Sequence, residues 1–254
     1  MLIARFTTGE DPRFGVVEGA EIAVVTGDPL YTPIQFTGER VALDDARLLA
    51  PVIPRSKVLG IGRNYAEHAA ELGNEVPKEP LVFLKPNTSV VGPGDPIVLP
   101  AGAERVDYEG ELAIVIGRVC RDVPKERAGE VILGYTCAND VTVREWQQGD
   151  GQWWRAKGSD SFCPLGPYLA TGIDPADLRV TTRLDGETVQ DGRTSQMIVD
   201  VPSVVAFVTS AMTLLPGDVI LTGTPAGVGP MHPGSRVEVE VEGIGVLHNT
   251  AVRR

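Results

Sequence analysis

The chain is poor in the residues on which several common kinds of site depend. Its 254 residues include only three cysteines, which lie far apart and form no CxxC pair. This argues against a disulfide framework and against a thiolate zinc site. There are also only three histidines, His68, His232 and His248. A conventional multi-histidine metal site is therefore excluded.

Positive charge and long apolar runs are scarce as well. The chain carries 23 Lys and Arg against 34 Asp and Glu, a formal net charge of −11. Such a balance argues against nucleic acid or an anionic membrane surface as a partner, because both are negatively charged. No apolar run approaches membrane-spanning length, and residues 1–6 lack the basic-then-apolar layout of a signal peptide. The sequence predicts a soluble, cytoplasmic protein.

Hydrophobic periodicity predicts a fold that is rich in strands. Short apolar runs and period-two alternation predict strands at about 2–7, 14–18, 21–26, 57–61, 81–85, 111–117, 131–138, 167–171, 179–184, 219–223 and 236–241. Helices are predicted at 65–72, with Asn64 as N-cap and Glu67 closing a capping box, and at 201–214, with Asp200 as N-cap. Because the helices do not alternate with the strands, the pattern predicts an α+β fold that is predominantly β.

A short proline-containing segment suggests a division of the chain. Residues 51–56 have the composition of a linker. We therefore predict a small β-rich N-terminal domain at 1–50, in which 30–47 is irregular. The rest, 57–254, is predicted to form the catalytic domain.

The most informative stretch is Asp107-Tyr108-Glu109-Gly110-Glu111, which leads into a wholly apolar run. In a strand, Asp107, Glu109 and Glu111 share one face, and the apolar run predicts burial on both sides. Burying like carboxylates is costly unless a cation lies against them. The pattern therefore suggests half of a divalent-metal site. An edge strand, or a carboxylate pair that forms salt bridges with lysines, is the alternative.

A second run near the C-terminus provides an internal comparison. Glu238, Glu240 and Glu242 also recur every two residues, but they alternate strictly with valine. Strict alternation is typical of a half-exposed strand. We interpret these three acids as a solvated face, and only Glu109 and Glu111 as a site.

A third ligand is suggested after the strand predicted at 131–138. If a helical turn begins there, Asp140, Arg144 and Gln147 share one face. Asp140 is then placed to bind the metal, and Arg144 and Gln147 to hold a substrate carboxylate and carbonyl. Alternatively, Asp140 is an N-cap that pairs with Arg144.

Three further side chains are candidates for chemistry. His68 and Glu71 lie three apart on one helical face, so the carboxylate can orient the imidazole as a base; a surface pair is the alternative. Lys157, between two tryptophans and a glycine, can stabilise enolate charge, although a bare lysine is more often solvated. Thr224 lies in a glycine-rich turn that we expect to present its hydroxyl.

Taken together, these segments resemble the fumarylacetoacetate hydrolase family over residues 57–252. The matching blocks, in order, are Gly62-Arg63-Asn64-Tyr65-Ala66-Glu67-His68, Phe83-Leu84-Lys85-Pro86, Asp107-Tyr108-Glu109-Gly110-Glu111-Leu112, Asn139-Asp140-Val141-Thr142, Arg155-Ala156-Lys157-Gly158, Leu221-Thr222-Gly223-Thr224-Pro225 and Gly227-Val228-Gly229. The chain is most similar to the small members grouped with acylpyruvate hydrolases, oxaloacetate decarboxylases and 2-hydroxyhepta-2,4-diene-1,7-dioate isomerases.

The resemblance implies a mixed β-sandwich or roll, a homodimer, and Mg²⁺ or Mn²⁺ as cofactor. It implies metal ligation by Glu109, Glu111 and Asp140. It assigns catalytic roles to His68 and Glu71, on a helix that acts as a lid, and to Lys157. The residues that it implies for substrate binding are Arg63, Arg144, Gln147 and Thr224. Ser159 departs from the larger apolar residue expected after Gly158, which leaves the size of the substrate open.

The residues and the resemblance converge on a metal-dependent enzyme for 2-oxo acids. Our hypothesis is that the ion chelates the 1-carboxylate and 2-oxo oxygen of an acylpyruvate. The His68–Glu71 pair then activates a water that attacks the distal carbonyl, and pyruvate enolate leaves. Isomerisation of a 2-hydroxy-diene dioate and decarboxylation of oxaloacetate are alternatives, as is a non-catalytic carboxylate-binding protein on the same fold.

Overall fold

The computed structural model describes residues 1–253. Its strands are β1 Leu2–Thr7, β2 Arg13–Glu18, β3 Glu21–Val25, β4 Phe36–Ala42, β5 Arg47–Leu49, β6 Val58–Gly62, β7 Leu81–Lys85, β8 Val90–Val91, β9 Pro96–Leu99, β10 Val106–Tyr108, β11 Gly110–Ile116, β12 Ile132–Asn139, β13 Thr142–Val143, β14 Cys163–Ala170, β15 Arg179–Leu184, β16 Glu187–Arg193, β17 Val219–Leu221, β18 Gly229–Pro230, β19 Arg236–Val241 and β20 Gly245–Arg253. The α-helices are α1 Ala66–Glu71, α2 Arg144–Gly149, α3 Trp154–Gly158 and α4 Val201–Ala211. Short 3₁₀-helices lie at Leu43–Asp45, Asn87–Ser89, Lys125–Glu130, Pro175–Asp177 and Thr194–Gln196.

The strands form three sheets. The largest has twelve strands, in the order β4-β3-β2-β1-β14-β12-β11-β17-β6-β7, with β5 paired to β1 and β8 paired to β14. A five-stranded sheet has the order β16-β15-β19-β20-β9, and β13-β10-β18 form a small third sheet. The predicted α+β fold, predominantly β, is confirmed. None of the helices in residues 1–253 has the length and apolar character needed to cross a membrane.

The N-terminal strands belong to the largest sheet. β1 pairs antiparallel with β14, with Leu2 opposite Ala170 and Ile3 opposite Leu169. Strands that precede the predicted linker, 51–56, therefore belong to the same sheet as strands that follow it. The linker itself contains no strand or helix. The division into two domains stays a prediction.

The apolar run of β11 lies at the centre of the core. Leu112, Ile114 and Ile116 belong to one hydrophobic cluster, which also contains the buried face of α4. Ala113 and Val115 belong to a second cluster on the opposite side. All residues of β11 are buried, so the prediction of a strand covered on both faces is confirmed.

Two expectations about strands and helix ends were wrong. Residues 30–47 are not irregular, because β4 pairs with β3 there. Most of β4 is exposed, so its residues do not show the alternation of apolar and polar side chains that predicts a strand. The second helix, α4, begins as expected, with Asp200 accepting a hydrogen bond from Ser203 N, but it ends at Ala211 rather than 214.

The predicted capping role of Asn64 was also wrong. Helix α1 begins after Tyr65, and no side chain caps it. Asn64 instead bridges two other segments: its amide nitrogen donates to the carbonyls of Val199 (3.0 Å) and Thr222 (2.8 Å), and its Oδ1 accepts from Val199 N (2.8 Å). These hydrogen bonds to distant segments replace the predicted N-cap. They connect the residues before α1 to the residue that follows β17.

We expect Asn64→Ala to destabilise the fold by about 3 kcal/mol, because three hydrogen bonds are lost and buried backbone groups are left unpaired. Urea unfolding measures the change in the free energy of unfolding. Asn87→Ala is the matched control, since Asn87 is exposed and its amide makes one 3.2 Å bond to Pro54 O. Equal effects of the two substitutions would contradict the bridging role of Asn64.

Candidate active site

A cleft of about 290 Å³ opens between the largest sheet, the small sheet and the short helices. Nine of the ten residues predicted for the site line it: Arg63, His68, Glu109, Glu111, Asp140, Arg144, Gln147, Lys157 and Thr224. Glu71 is not among the lining residues, but its Oε2 lies 3.5 Å from Nδ1 of His68. The structure thus brings the predicted residues together, while their roles stay predictions.

The three acids meet where the chain passes from one sheet to another. Glu109 lies between β10 of the small sheet and β11 of the largest sheet, so the strand is interrupted at this residue. Asp140 follows the end of β12, and its N–H donates to Glu109 O (2.8 Å), while Glu109 N–H donates to Oδ1 of Asn139 (2.9 Å). One carboxylate oxygen from each of Glu109, Glu111 and Asp140 lies within 4.8 Å of the others.

Two cations flank Glu109. Nη2 of Arg144 lies 2.6 Å from its Oε1, and Nζ of Lys157 lies 2.9 Å from its Oε2. Burial alone would raise the pKa of Glu109, but the adjacent Lys157 and Arg144 charges hold it well below its usual range. The carboxylate therefore stays ionised. Glu109 thus forms the salt bridge to a lysine that was the alternative to a metal site. The three carboxylates also lie close together, so both features are present.

Lys157 connects two of the acids. Its Nζ also lies 2.6 Å from Oδ2 of Asp140 and donates to Oγ1 of Thr142 (2.8 Å). The side chain is buried, so the lysine is not solvated as the alternative interpretation supposed. An ammonium group thus lies against two of the three clustered carboxylates, which shows that a cation can be accommodated at this point.

Arg144 does not pair with Asp140, so the alternative in which Asp140 caps the helix and binds Arg144 is wrong. Nε of Arg144 donates to Oδ2 of Asp107 (2.7 Å), and Nη1 donates to Oε1 of Gln147 (2.9 Å). Asp107 is fully buried and also accepts from Arg105. Asp107 therefore holds Arg144 over Glu109 and does not itself join the carboxylate cluster.

Glu111 is the acid without a cationic partner among residues 1–253. Its Oε2 accepts a hydrogen bond from the backbone N–H of Gly223 (2.6 Å). Burial, followed by the charges of Asp140 and Glu109, raises its pKa well above the usual range. Only glycine suits position 223, because φ is +97° and an added Cβ would lie 2.7 Å from Cβ of Asn64.

The donor set fits a divalent cation. Three buried carboxylates supply oxygen ligands only, which hard ions such as Mg²⁺ and Mn²⁺ prefer. Among residues 1–253, Glu111 is the member of the set that contacts no lysine or arginine, so it is the carboxylate most open to a further cation.

The His68–Glu71 pair is looser than a hydrogen bond. The 3.5 Å separation exceeds ordinary hydrogen-bond length, and Nδ1 of the buried His68 has no hydrogen-bond partner among residues 1–253. The carboxylate of Glu71 instead accepts from Gly227 N–H (3.1 Å). The imidazole thus lies in the cleft, and the nearby Glu71 carboxylate is bonded to the backbone of Gly227 instead of to the ring.

Lys85 was missed as a site residue. It is 1% exposed, and its Nζ bonds Oδ1 of Asp140 and the carbonyl of Phe162 (2.7 Å). The sequence signal was its position at the end of an apolar strand, before Pro86. No local pattern shows that this strand lies beside Asp140.

Two substrate-binding candidates have constrained surroundings. The hydroxyl of Thr224 donates to Gly110 O (2.8 Å) and accepts from Nε2 of Gln190 (2.8 Å), so it is tied to the scaffold. Arg63 has φ of +57°, and its guanidinium has no salt-bridge partner within residues 1–253. Its guanidinium is therefore uncommitted at the cleft.

We expect divalent-ion binding to tighten as the pH rises, because the ion must displace the proton that the raised pKa keeps on Glu111. The stability of the ion-free protein should change in the opposite direction. Because the folded state binds this proton more tightly than the unfolded chain, the contribution of Glu111 to the free energy of unfolding falls as the pH rises above the ordinary carboxyl range. Calorimetric titration with MnCl₂ at about pH 6 and about pH 8 measures the affinity change. Glu111→Gln should remove the pH dependence, and a pH-independent wild-type affinity would contradict the prediction.

Clustered buried carboxylates that could hold a metal ion lie with a buried histidine and a buried lysine at one cleft, an arrangement typical of an enzyme site. The chain belongs to the fumarylacetoacetate hydrolase family: the family model "Fumarylacetoacetate (FAA) hydrolase C-terminal" matches residues 57–252. A second model, "Rv2993c-like, N-terminal", matches residues 1–51. The mixed β fold expected from the resemblance is confirmed, and the chain is an enzyme of this family, whose members include hydrolases, isomerases and tautomerases.

Relatives of the chain cover nearly its whole length. Protein Rv2993c of Mycobacterium tuberculosis is 50% identical, over 100% of this chain and 99% of its own length. The structure of 5-carboxymethyl-2-hydroxymuconate delta-isomerase from Mycobacterium smegmatis is 48% identical, with a TM-score of 0.93 and 100% of both chains covered. The mitochondrial oxaloacetate tautomerase Fahd2a of Rattus norvegicus is 39% identical, over 96% of this chain and 88% of its own.

Proposed function

We propose that the chain is a divalent-metal-dependent hydrolase of 2-oxo acids, which cleaves the carbon–carbon bond of acylpyruvate-type 1,3-dicarbonyl substrates. The observation that carries the proposal is that His68, the carboxylates of Glu109, Glu111 and Asp140, and the ammonium of Lys157 meet at one cleft. A base, an electrophilic centre and a cation for the leaving enolate are the three parts that such a cleavage requires.

The metal ligands in this proposal are Glu109, Glu111 and Asp140. A divalent cation bound there would supply Lewis-acid polarisation of the 2-oxo carbonyl. The uncommitted guanidinium of Arg63 and the amide of Gln147 orient the substrate carboxylate and carbonyl. Arg144, paired with Glu109 and Asp107, adds positive charge beside them. These side chains hold the anion despite the net negative charge of the chain.

His68 is the general base of the proposed reaction. When Glu71 accepts the Nδ1–H of the imidazole, Nε2 is free to take a proton from water, and the imidazolium that forms is stabilised by the carboxylate. The water then attacks the distal carbonyl of the substrate. Lys157, whose three N–H groups bond Glu109, Asp140 and Thr142, places its positive charge beside the enolate as the bond to the acyl group breaks. A buried lysine suits this role because its charge is little screened there. The imidazolium then gives its proton to the enolate carbon, which yields pyruvate and a carboxylic acid.

Proton transfer without bond cleavage is the second candidate. It is supported by two relatives, the isomerase from Mycobacterium smegmatis and the rat oxaloacetate tautomerase, whose names describe such reactions. Moving a proton between carbon and oxygen of a 2-oxo acid needs His68 but no activated water. Oxaloacetate decarboxylation needs the same stabilised enolate. A purely carboxylate-binding role is disfavoured by the buried His68 and Lys157 in the same cleft.

A substrate panel tests the proposal. Acylpyruvates, oxaloacetate and a 2-hydroxy-diene dioate are each assayed with Mg²⁺, with Mn²⁺ and with EDTA. We expect acylpyruvate hydrolysis that EDTA abolishes. Turnover of the dioate or of oxaloacetate alone would replace hydrolysis by the second candidate, and no turnover of any substrate would support the carboxylate-binding alternative.

The homodimer and the cytoplasmic location belong to the same proposal. Both come from the resemblance and from the composition of the chain. Light scattering on the purified protein measures the mass directly, and we expect twice the 27.1 kDa of one chain.

A further inference from the structure

Gln190 is a buried amide that takes no part in the proposed reaction. It lies on β16 of the five-stranded sheet, is 1% exposed, and does not line the cleft. Its side chain nevertheless reaches two segments of the site. Oε1 accepts from Gly110 N–H (2.9 Å), and Nε2 donates to Oγ1 of Thr224 and to the carbonyl of Pro225 (both 2.8 Å). The amide therefore uses its oxygen and its nitrogen to connect these two segments.

The second of these segments is the loop formed by residues 223–227, which contacts two of the predicted site residues. Gly223 N–H donates to Oε2 of Glu111 (2.6 Å). Gly227 N–H donates to Oε1 of Glu71 (3.1 Å). The loop thus bonds one of the clustered carboxylates at its first residue and the proposed partner of the imidazole at its last.

We propose that Gln190 is a positioning residue, which fixes the loop 223–227 relative to Gly110 and thereby sets the positions of Glu111 and Glu71. The inference rests on the proposed function, because it takes Glu111 as a metal ligand and Glu71 as the residue that orients the base. Gln190 acts through the loop and through the backbone next to Glu111, and it touches neither the substrate nor the ion.

The backbone around Gln190 brings the segments close together. The register between β15 and β16 shifts next to Gln190, so that Val189 is an extra residue in β16. Extra residues of this kind bend a strand and re-aim its side chains, and they are common beside active sites. A Cβ added at Gly227 would lie 2.0 Å from the carbonyl oxygen of Val189, and one added at Gly110 would lie 2.0 Å from Oγ1 of Thr182. Glycine at these two positions therefore permits the close approach.

Gln190→Met removes the three hydrogen bonds and keeps a side chain of similar length. The N–H of Gly110 and the carbonyl of Pro225 would each lose a buried partner, so the loop is expected to shift. Loss of a residue that orients metal ligands commonly costs about 10–100-fold in metal affinity or activity. We expect Gln190→Met to weaken Mn²⁺ binding by about ten-fold and to lower kcat by about ten-fold or more.

Asn249→Leu is the matched control. Asn249 is also a buried amide, and its Nδ2 donates to the carbonyls of Gly92 (2.9 Å) and Asp95 (2.8 Å), none of which lines the cleft. Both substitutions should lower the urea concentration at the midpoint of unfolding. Only Gln190→Met should change the Kd for Mn²⁺, because a purely structural role lowers the amount of folded protein and leaves the Kd of that protein unchanged.

The experiment measures three quantities on the purified chain: calorimetric affinity for MnCl₂, turnover of the 2-oxo acid that wild type accepts, and urea unfolding followed by circular dichroism. Gln190→Met is also combined with Thr224→Val. Because Gln190 acts through the loop that contains Thr224, the loss of kcat in the double variant should be smaller than the product of the two single losses. Asn249→Leu combined with Thr224→Val should give the product.

Wild-type Mn²⁺ affinity and kcat in a folded Gln190→Met protein would overturn the inference, and so would equal losses in Asn249→Leu or independent losses of Gln190→Met and Thr224→Val. If Gln190→Met does not fold, Gln190→Glu should show the loss of kcat instead, because it keeps an acceptor for Gly110 N–H but replaces the donating nitrogen by oxygen. Weaker Mn²⁺ binding by Gln190→Met, without turnover of any 2-oxo acid by wild type, would support the positioning role and remove only the proposed function. Failure of wild type to bind Mn²⁺ would remove both.

Discussion

Glu109→Gln is expected to lower metal-dependent turnover by about a thousand-fold or more, because loss of a metal ligand forfeits several kcal/mol of transition-state stabilisation. The substitution keeps the size of the side chain and its contact with Asn139 through the backbone. Steady-state assays with saturating Mg²⁺ and calorimetric titration with MnCl₂ measure the two losses, of turnover and of ion affinity.

The fold should survive this change. Both cations that flank Glu109 retain another carboxylate: Arg144 keeps Asp107, and Lys157 keeps Asp140. We therefore expect destabilisation below the roughly 3–5 kcal/mol that follows when a buried charge loses its only partner. A folded Glu109→Gln protein with full metal-dependent turnover would falsify the assignment of Glu109 as a ligand.

Glu240→Gln is the matched control for Glu109→Gln. Glu240 belongs to the alternating run of β19 that we interpreted as a solvated face, and its side chain is 41% exposed beside Arg183. Exposed ion pairs contribute about 0–1 kcal/mol. Turnover and ion affinity should therefore match wild type. The control distinguishes the loss of a carboxylate at the proposed metal site from the loss of a carboxylate elsewhere on the protein.

His68→Ala is expected to reduce acylpyruvate hydrolysis by about 10²–10⁴-fold, the usual contribution of a general acid or base. Oxaloacetate decarboxylation should be spared, because it produces the same enolate without an activated water. The ratio of the two activities, measured on one preparation, is therefore more informative than either rate alone.

Glu67→Gln controls for the position of the substitution, since Glu67 lies on the same short helix and is exposed. It should leave both activities unchanged. Equal loss of hydrolysis and decarboxylation in His68→Ala would indicate collapse of the cleft rather than loss of a base, and retained hydrolysis would remove His68 from the mechanism.

Local patterns identified the parts of the fold that depend on local burial. The run in β11 is apolar because both of its faces are covered, and the alternation in β19 reflects one covered face. β4 and β16 were missed because their residues are mostly polar or exposed. Those strands form through pairing with neighbours, which a search for apolar periodicity does not detect.

Most of the residues that meet at the cleft were predictable from the sequence, but Lys85 and the contacts among these residues were not. The spacing of two grouped Glu109 with Glu111, although Glu109 lies between two strands and not within one, and helical spacing placed Arg144 near Gln147. Arg144 turns away from Asp140 because β10 pairs with β13, with Val106 opposite Val143 and Asp107 opposite Thr142. This register places Asp107 of β10 beside Arg144, which follows β13. Residue spacing along the chain does not predict which strands pair.

The pairing of β1 with β14 has a consequence for the solubility of the molecule. Without residues 1–50, β14 would expose unpaired backbone groups beside Leu169 and Ala170, a template for aggregation between copies. In the intact chain the outermost strand on this side is β4, which carries Glu39 and Arg40 in surface ion pairs. With the N-terminal strands present, the edge of the sheet is therefore a charged strand instead of an apolar one. A charged edge strand disfavours association between copies of the chain.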